Sequence, residues 1–193
     1  MTFQTGTALV VIAKNEQRCI ARCLESAAQY VDRIVVLDTG STDETVSIAK
    51  RCGAAVHHAS WKNDFSYARN LALDIANSEF NLIIDADEWI ISVEKTLNLR
   101  TLNPRELGLV SILSEGESGR EKQIQNSWIT RLLPHGVRYR GKVHEQAISN
   151  RLCCTNRVYS LLGSRFVSEQ TSRCRSRQPS NTVRRTGKRT TRG

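Results

Sequence analysis

The stretch RIVVLDTGSTDETVSIAKRCGAAVHH, residues 33–58, decides how the chain folds. It opens on a β-branched apolar run, residues 33–38, whose length and composition suit a buried strand ending in Asp38. Ser41 and Glu44 then stand at capping-box spacing, Ile48 and Ala49 supply apolar helical positions, and Gly53 is able to leave a helix in a left-handed conformation. A second apolar run, AAVHH at 54–58, follows. Two apolar strands joined through a helix form a crossover unit, and such units place their strands parallel with a right-handed connection.

Working outward, the same unit recurs. ALVVIA (8–13) reads as a first buried strand, and Asn15 as the N-cap of a helix through about Ala28, with Cys19, Ile20, Cys23, Leu24 and Ala27 on one face. In FSYARNLALDIANS, Phe65, Ala68, Leu71, Ala72 and Ile75 share a helical face, and FNLIID (80–85) is a fourth strand. After Trp89 the pattern weakens. ELGLVSIL (106–113) and WITRLL (128–133) read as strands, with a charged, glycine-containing connector at 114–126. Three strand–helix units feeding a fourth strand predict an α/β fold. The expected form is Rossmann-like: an open, doubly wound, mostly parallel sheet with helices on both faces.

The net charge of +9 over 193 residues is unevenly placed. Residues 151–193 carry ten Arg, one Lys and one Glu, while residues 1–150 hold 17 basic and 18 acidic side chains and are nearly neutral. One globular domain is therefore expected at 1–150, followed by a basic, period-free tail at 151–193 that reads as disordered. Few aromatics interleave the tail arginines, which argues against nucleic-acid binding and leaves it as an alternative. No apolar run approaches the length of a membrane span, and no secretory leader pattern opens the sequence, so a cytoplasmic protein without a transmembrane segment is expected. Peripheral membrane contact stays open. The six cysteines form no C-x-x-C pair, and reduced thiols are the expectation rather than a zinc site from Cys19, Cys23, His57 and His58.

In an open parallel sheet, ligands sit beyond the carboxyl ends of the strands. That edge receives Lys14, Asn15 and Glu16 from the first strand, Asp38 from the second, and Asp85, Asp87 and Glu88 from the fourth. Carboxylates repel phosphate unless a cation intervenes, and hard oxygen ligands select magnesium, manganese or calcium. On an extended segment the two side chains of an Asp-x-Asp point to opposite faces, so one Asp would hold metal and the other a different part of the ligand. Plainer readings exist for each group: a solvated turn for 85–88, a helix cap for Asp38, a solvated helix face for Arg69 and an exposed pair for His144 and Glu145.

The ordered series K-N-E (14–16), D-T-G-S-T-D (38–43), A-R-N (68–70) and D-A-D-E (85–88), closed by TRLLPHGVRYRGKVHEQ (130–146), resembles the nucleotide-sugar-dependent glycosyltransferases of family 2, which have the GT-A fold. The similarity spans about residues 7–147. Within the family it is greatest to bacterial enzymes that glycosylate lipopolysaccharide cores or peptides. The resemblance implies that Ile12, Ala13 and Glu16 border the nucleobase, that Asp38 meets the uracil or ribose of UDP, that Arg69 reaches the nucleotide, and that Asp85 contacts the ribose or sugar. It further implies that Asp87, assisted by His144, binds a divalent cation, manganese or magnesium, and that a carboxylate of the second half is the base: Glu145, with Glu88 behind it. The implied reaction is inverting transfer from a nucleotide-sugar donor to a carbohydrate, lipid-linked or peptide acceptor. Residues beyond HEQAIS depart from the family pattern, which suggests a non-family tail and an incomplete acceptor half. Two alternatives follow: a nucleotide-sugar-binding remnant without turnover, and a nucleotidyltransferase. AKNEQ (13–17) lacks the glycines that the latter's phosphate loop would want.

Overall fold

The computed structural model of the chain describes residues 3–93, 106–118, 121–142, 145–148 and 155–165. Four strands, β1 (Gln4–Ala13), β2 (Arg33–Asp38), β3 (Ala55–His58) and β4 (Ser78–Ile83), lie in the order β3-β2-β1-β4, and each pairing among them is parallel. They are joined through α1 (Ile20–Ala28), α2 (Thr45–Arg51) and α3 (Phe65–Ala76). Leu9 and Val11 pack with Ile20, Leu24 and Ala49 on one face of the sheet, whereas Val10 and Leu37 pack with Ala68, Ala72 and Leu73 on the other. Successive strand residues point to opposite faces, and here both faces are covered by helices. That double burial is why residues 8–13 of β1 are all apolar instead of alternating.

Past β4 the sheet continues through β7 (Glu121–Pro134), β6 (Glu106–Ser118), β10 (Thr155–Arg165) and β5 (Glu88–Val93), giving the order β3-β2-β1-β4-β7-β6-β10-β5. Four of its pairings are parallel and three, β4–β7, β6–β7 and β5–β10, are antiparallel. The doubly wound, mostly parallel sheet is the one expected. A separate ribbon, β8 (Arg138–Arg140) with β9 (Gln146–Ile148), lies against α3 through Tyr139.

Several local readings are corrected. Asn15 does not cap α1, which begins at Ile20; Asn15 is in the left-handed region at φ 58°, and its Oδ1 accepts the Thr42 N–H at 2.8 Å. Ser41 does not form a capping box either: α2 begins at Thr45, and Ser41 Oγ accepts the Asn15 N–H at 2.9 Å. Gly53 does close α2 at φ 80°. The connector expected at 114–126 is mostly strand, because β6 and β7 stay in register out to Ser118 and Glu121. Cross-strand pairing there overrides the weak local propensity.

Residues 155–165, read above as part of a tail without structure, form β10 between β6 and β5. Ladders on both edges hold that backbone, a long-range pairing that side-chain periodicity does not encode. The rest of the basic tail, 166–193, lies outside the described residues, as do Cys153, Cys154 and Cys174. Among the described residues Cys19, Cys23 and Cys52 are free cysteines.

The start of α3 is set by Asp64, whose carboxylate accepts the Tyr67 N–H at 2.9 Å, with Asn77 closing the other end at φ 41°. Asp64→Ala removes the partner of an orphan helix donor and is expected to cost about 1 kcal/mol. Urea melts of the two proteins measure the difference directly.

Candidate active site

The loops after β1 and β2 interlock. The Asn15, Glu16 and Gln17 N–H groups donate to Ser41 Oγ (2.9 Å), Thr45 Oγ1 (2.7 Å) and Asp43 Oδ2 (3.2 Å). In return Thr42 and Glu44 N–H donate to Asn15 Oδ1 (2.8 Å) and Gln17 Oε1 (3.1 Å). The K-N-E and D-T-G-S-T-D motifs thus serve each other. Asp38 is spent in the same way: its carboxylate accepts the Gly40 and Ser41 N–H groups and faces His58 Nδ1 at 3.2 Å. Burial would raise its pKa, but the hydrogen bonds from Ser41, His58 and Gly40 outweigh burial and hold it below the usual carboxylate range. Asp38 is 3% exposed, and the neighbouring Thr39 lines the cleft in its place.

That cleft, of about 490 Å³, opens at the carboxyl edge of the parallel strands. Ile12, Ala13 and Glu16 form one wall, and Trp61 and Phe65, in an edge-to-face contact 4.8 Å between centroids, form another. Asp85, Asp87, Arg69 and Glu145 complete it. Strand β4 ends at Ile83, so Asp85 and Asp87 lie on a turn closed by the Glu88 N–H to Asp85 C=O bond (2.9 Å), not on the extended segment expected. The turn still separates the two carboxylates. Asp87 faces the Glu16 side, where burial, together with the Asp87 and Asp43 carboxylates, pushes the Glu16 carboxyl above its ordinary range.

Asp85 instead turns into a buried cluster. Arg69 Nη2 reaches its Oδ1 at 2.6 Å and Arg131 Nη2 its Oδ2 at 2.9 Å. Arg69 Nε also holds Glu145 at 2.8 Å, and Arg131 Nη2 holds Glu88 at 3.2 Å. Burial alone would raise the Asp85 pKa, but the Arg131 and Arg69 guanidinium groups hold it far below the usual carboxylate range. The same attractions, against burial, raise the pKa of Arg131 and of Arg69. Glu88, the second base candidate, is 3% exposed and accepts both Arg131 and the Asp85 N–H (2.9 Å), which makes it a support for the cluster.

Helix α3 docks the segment that carries Glu145. Ser66, Arg69 and Asn70 share one helical stripe by their spacing. Ser66 Oγ donates to the Gly141 carbonyl, Asn70 exchanges two hydrogen bonds with the Tyr139 backbone (2.9 and 2.8 Å), and the Phe65 N–H donates to the Lys142 carbonyl at 3.1 Å. Arg69 is therefore not on a solvated face; it is 5% exposed.

A second cleft, of about 710 Å³, lies between β7 and the β8–β9 ribbon. Arg69, Asp85 and Glu145 line both clefts and form their common wall. Along that wall Arg69 Nη1, Arg131 Nε and Tyr139 Oη are buried without a hydrogen-bond partner among the described residues.

The model of glycosyl transferase family 2 matches residues 8–160. The chain belongs to that family. The family 2 match extends past the boundary expected at 150, to within β10. Among curated proteins, a TPR repeat-containing protein of Synechococcus elongatus is 36% identical over 141 residues, 71% of this chain and 34% of that protein. Glycosyltransferase SunS of Bacillus subtilis is 45% identical over 80 residues, 40% of this chain and 19% of SunS. The chain thus spans about a third of the first relative and a fifth of the second. Among solved structures, S. aureus TarS 1-349 aligns over 60% of this chain and 38% of TarS, at TM-score 0.44 and 24% identity. Glucosyl-3-phosphoglycerate synthase from Mycobacterium tuberculosis, in complex with Mn2+, UDP and phosphoglyceric acid, aligns over 45% of this chain and 34% of its own, at TM-score 0.40 and 27% identity.

Of the positions singled out in this family 2 chain, Ile12, Ala13, Glu16, Arg69, Asp85, Asp87 and Glu145 meet at one cleft. Asp38 and Glu88 stand behind it, and His144 lies outside the described residues. Arg131, Tyr139, Trp61 and Thr39 escaped the sequence reading. For Arg131 a signal existed, a lone cation inside the apolar run WITRLL. No helix among the described residues is long and apolar enough to cross a membrane.

Proposed function

We propose that the chain carries out inverting glycosyl transfer from a nucleotide-diphosphate sugar, UDP-sugar being the expected donor, to an acceptor hydroxyl. The observation that carries the reading is the shared wall: Glu145 borders both clefts, so one carboxylate can serve an acceptor in one cleft and a donor in the other. The nucleotide is assigned to the cleft of Ile12, Ala13, Thr39 and Trp61, and the acceptor approaches from the second. Glu145 takes the hydroxyl proton, the oxygen bonds to the anomeric carbon, and the bond from that carbon to the diphosphate oxygen breaks, its electron pair leaving with the diphosphate. Asp38 acts by holding the 40–45 loop, and Asp85, between two arginines, acts by fixing Arg69 and through it Glu145.

A divalent cation fits the residues present. Glu16 and Asp87 are oxygen donors in one cleft, and burial first, then the Asp87 and Asp43 carboxylates, push the Glu16 carboxyl above its ordinary range. Among the described residues no three His, Cys, Asp or Glu side chains converge as a closed metal site. The fit is therefore to a hard ion that completes its shell with phosphate oxygens and water, the habit of magnesium and manganese. Asp87 would hold it, and bound there it would neutralise charge on the departing diphosphate.

Calorimetric titration of UDP with and without manganese tests this reading. Manganese should strengthen UDP binding to the parent chain, and Asp87→Asn should abolish that gain while the melting transition stays in place. UDP binding unaffected by manganese in the parent would sink the metal assignment. Formation of UDP from a UDP-sugar separates a working transferase from a binding remnant.

A further inference from the structure

We infer that the second cleft takes a neutral sugar ring as acceptor, with Trp128 as its stacking platform; this rests on the donor reading above and names the acceptor class for it. Trp128 is 48% exposed and Ile129 40%, although both sit on a strand of the main sheet, and both line the cleft. A large aromatic surface left in water beside a formed cleft marks a place where an apolar face is to be covered. The C–H face of a pyranose is such a surface, and its rim of hydroxyls requires polar neighbours. The cleft supplies neutral ones in Ser127, Thr130 and Gln146, and the buried Tyr139 Oη beside them has no partner among the described residues.

Charge decides between acceptor classes. Among the described residues the cleft is lined by two cations, Arg69 and Arg131, and three carboxylates, Asp85, Glu88 and Glu145, a formal balance of −1. Both guanidinium groups already hold carboxylates at 2.6–3.2 Å. Each positive charge is thus already matched by a carboxylate, the buried Arg69 Nη1 and Arg131 Nε keep N–H groups that a neutral hydroxyl oxygen can accept from, and the net balance disfavours a phosphate or carboxylate on the acceptor. The volume, about 710 Å³, is in the ordinary range for small-molecule pockets and suits one or two rings. A ring stacked on Trp128 within this cleft shares it with Glu145, which accepts the proton of the attacking hydroxyl.

Saturation-transfer NMR on the full chain, without donor, tests the inference independently of turnover. The probes are the methyl glycosides of glucose, galactose, mannose and N-acetylglucosamine, with glucose 6-phosphate and a serine peptide as contrasts. Transfer to at least one neutral glycoside is expected, reduced about tenfold or more in Trp128→Ala and largely restored in Trp128→Phe. No transfer to any neutral glycoside, equal transfer in Trp128→Ala, or a preference for the phosphate or the peptide would each overturn it. UDP titration of the same samples reads the donor cleft separately: Trp128→Ala should leave UDP affinity unchanged, so a failure of the donor reading shows there and not in the glycoside signal.

Discussion

Glu145→Gln is expected to lower the turnover number for glycosyl transfer by about 10²–10⁴-fold, the usual worth of a positioned general base. The amide keeps the size of the side chain and still offers an oxygen to Arg69 Nε, now 2.8 Å from Glu145 Oε1, so the clefts should keep their shape. What is lost is the proton acceptor at the wall the two clefts share. UDP affinity, which depends on the other end of the first cleft, should change less than about twofold, well under the 1.4 kcal/mol of a tenfold change. Steady-state kinetics with a coupled UDP assay, beside calorimetric UDP titration, separates the two quantities. Turnover within a few-fold of the parent would remove Glu145 from the mechanism and return the search to other carboxylates of the cleft.

The second large effect concerns Arg131. Arg131→Met keeps most of the apolar stem but takes a guanidinium from two buried acids: Glu88, 3% exposed, and Asp85, which retains Arg69. Breaking a buried ion pair from one side typically costs about 3–5 kcal/mol, a large share of the roughly 5–15 kcal/mol that holds a domain together. Urea unfolding should show that loss. The double variant Arg131→Met with Glu88→Gln should recover part of it, since it removes one uncompensated charge. If instead the single variant melts within about 0.5 kcal/mol of the parent, the cluster is not what organises this wall.

The same cluster sets an acid limit. The folded pKa of Asp85 lies far below its unfolded value near 3.9. Its contribution to stability is therefore fully present above about pH 4 and is lost as pH falls through the acid range beneath, where the unfolded chain binds the proton and the folded one resists it. In Arg131→Met that acid-side slope should be shallower, because the folded pKa rises toward the unfolded one.

The legible parts of the molecule are those whose cause is local. The strands at 8–13, 33–38 and 54–58 and the helices between them announce themselves through apolar runs, helical spacing and Gly53. Their order in the chain then dictates a parallel sheet, and the sheet dictates a site at its carboxyl edge. Glu16, Asp85 and Asp87 could be gathered that way, Ile12, Ala13, Arg69 and Glu145 only through the resemblance to family 2, and all seven meet there. Asn15 and Ser41 were misread because each has a good local role as a cap, yet pairs with the other's loop across 26 residues. The strand at 155–165 was missed for the same kind of reason: both of its ladders are long-range.

By itself, then, the sequence determined the succession of strand–helix units and the edge at which carboxylates collect, since these follow from side-chain periodicity and chain order, while its ordered motifs carried the resemblance to the family. Only the tertiary structure decided which carboxylates are already spent. Asp38 is closed on its own loop and His58, Glu88 is held by Arg131, and Asp85 is clamped by two arginines, one of them 46 residues away. Arg69 and Glu145, 76 residues apart, meet because α3 docks the segment around Tyr139. Such pairings depend on how elements pack, and no local pattern carries the distance between residues so far apart in the chain.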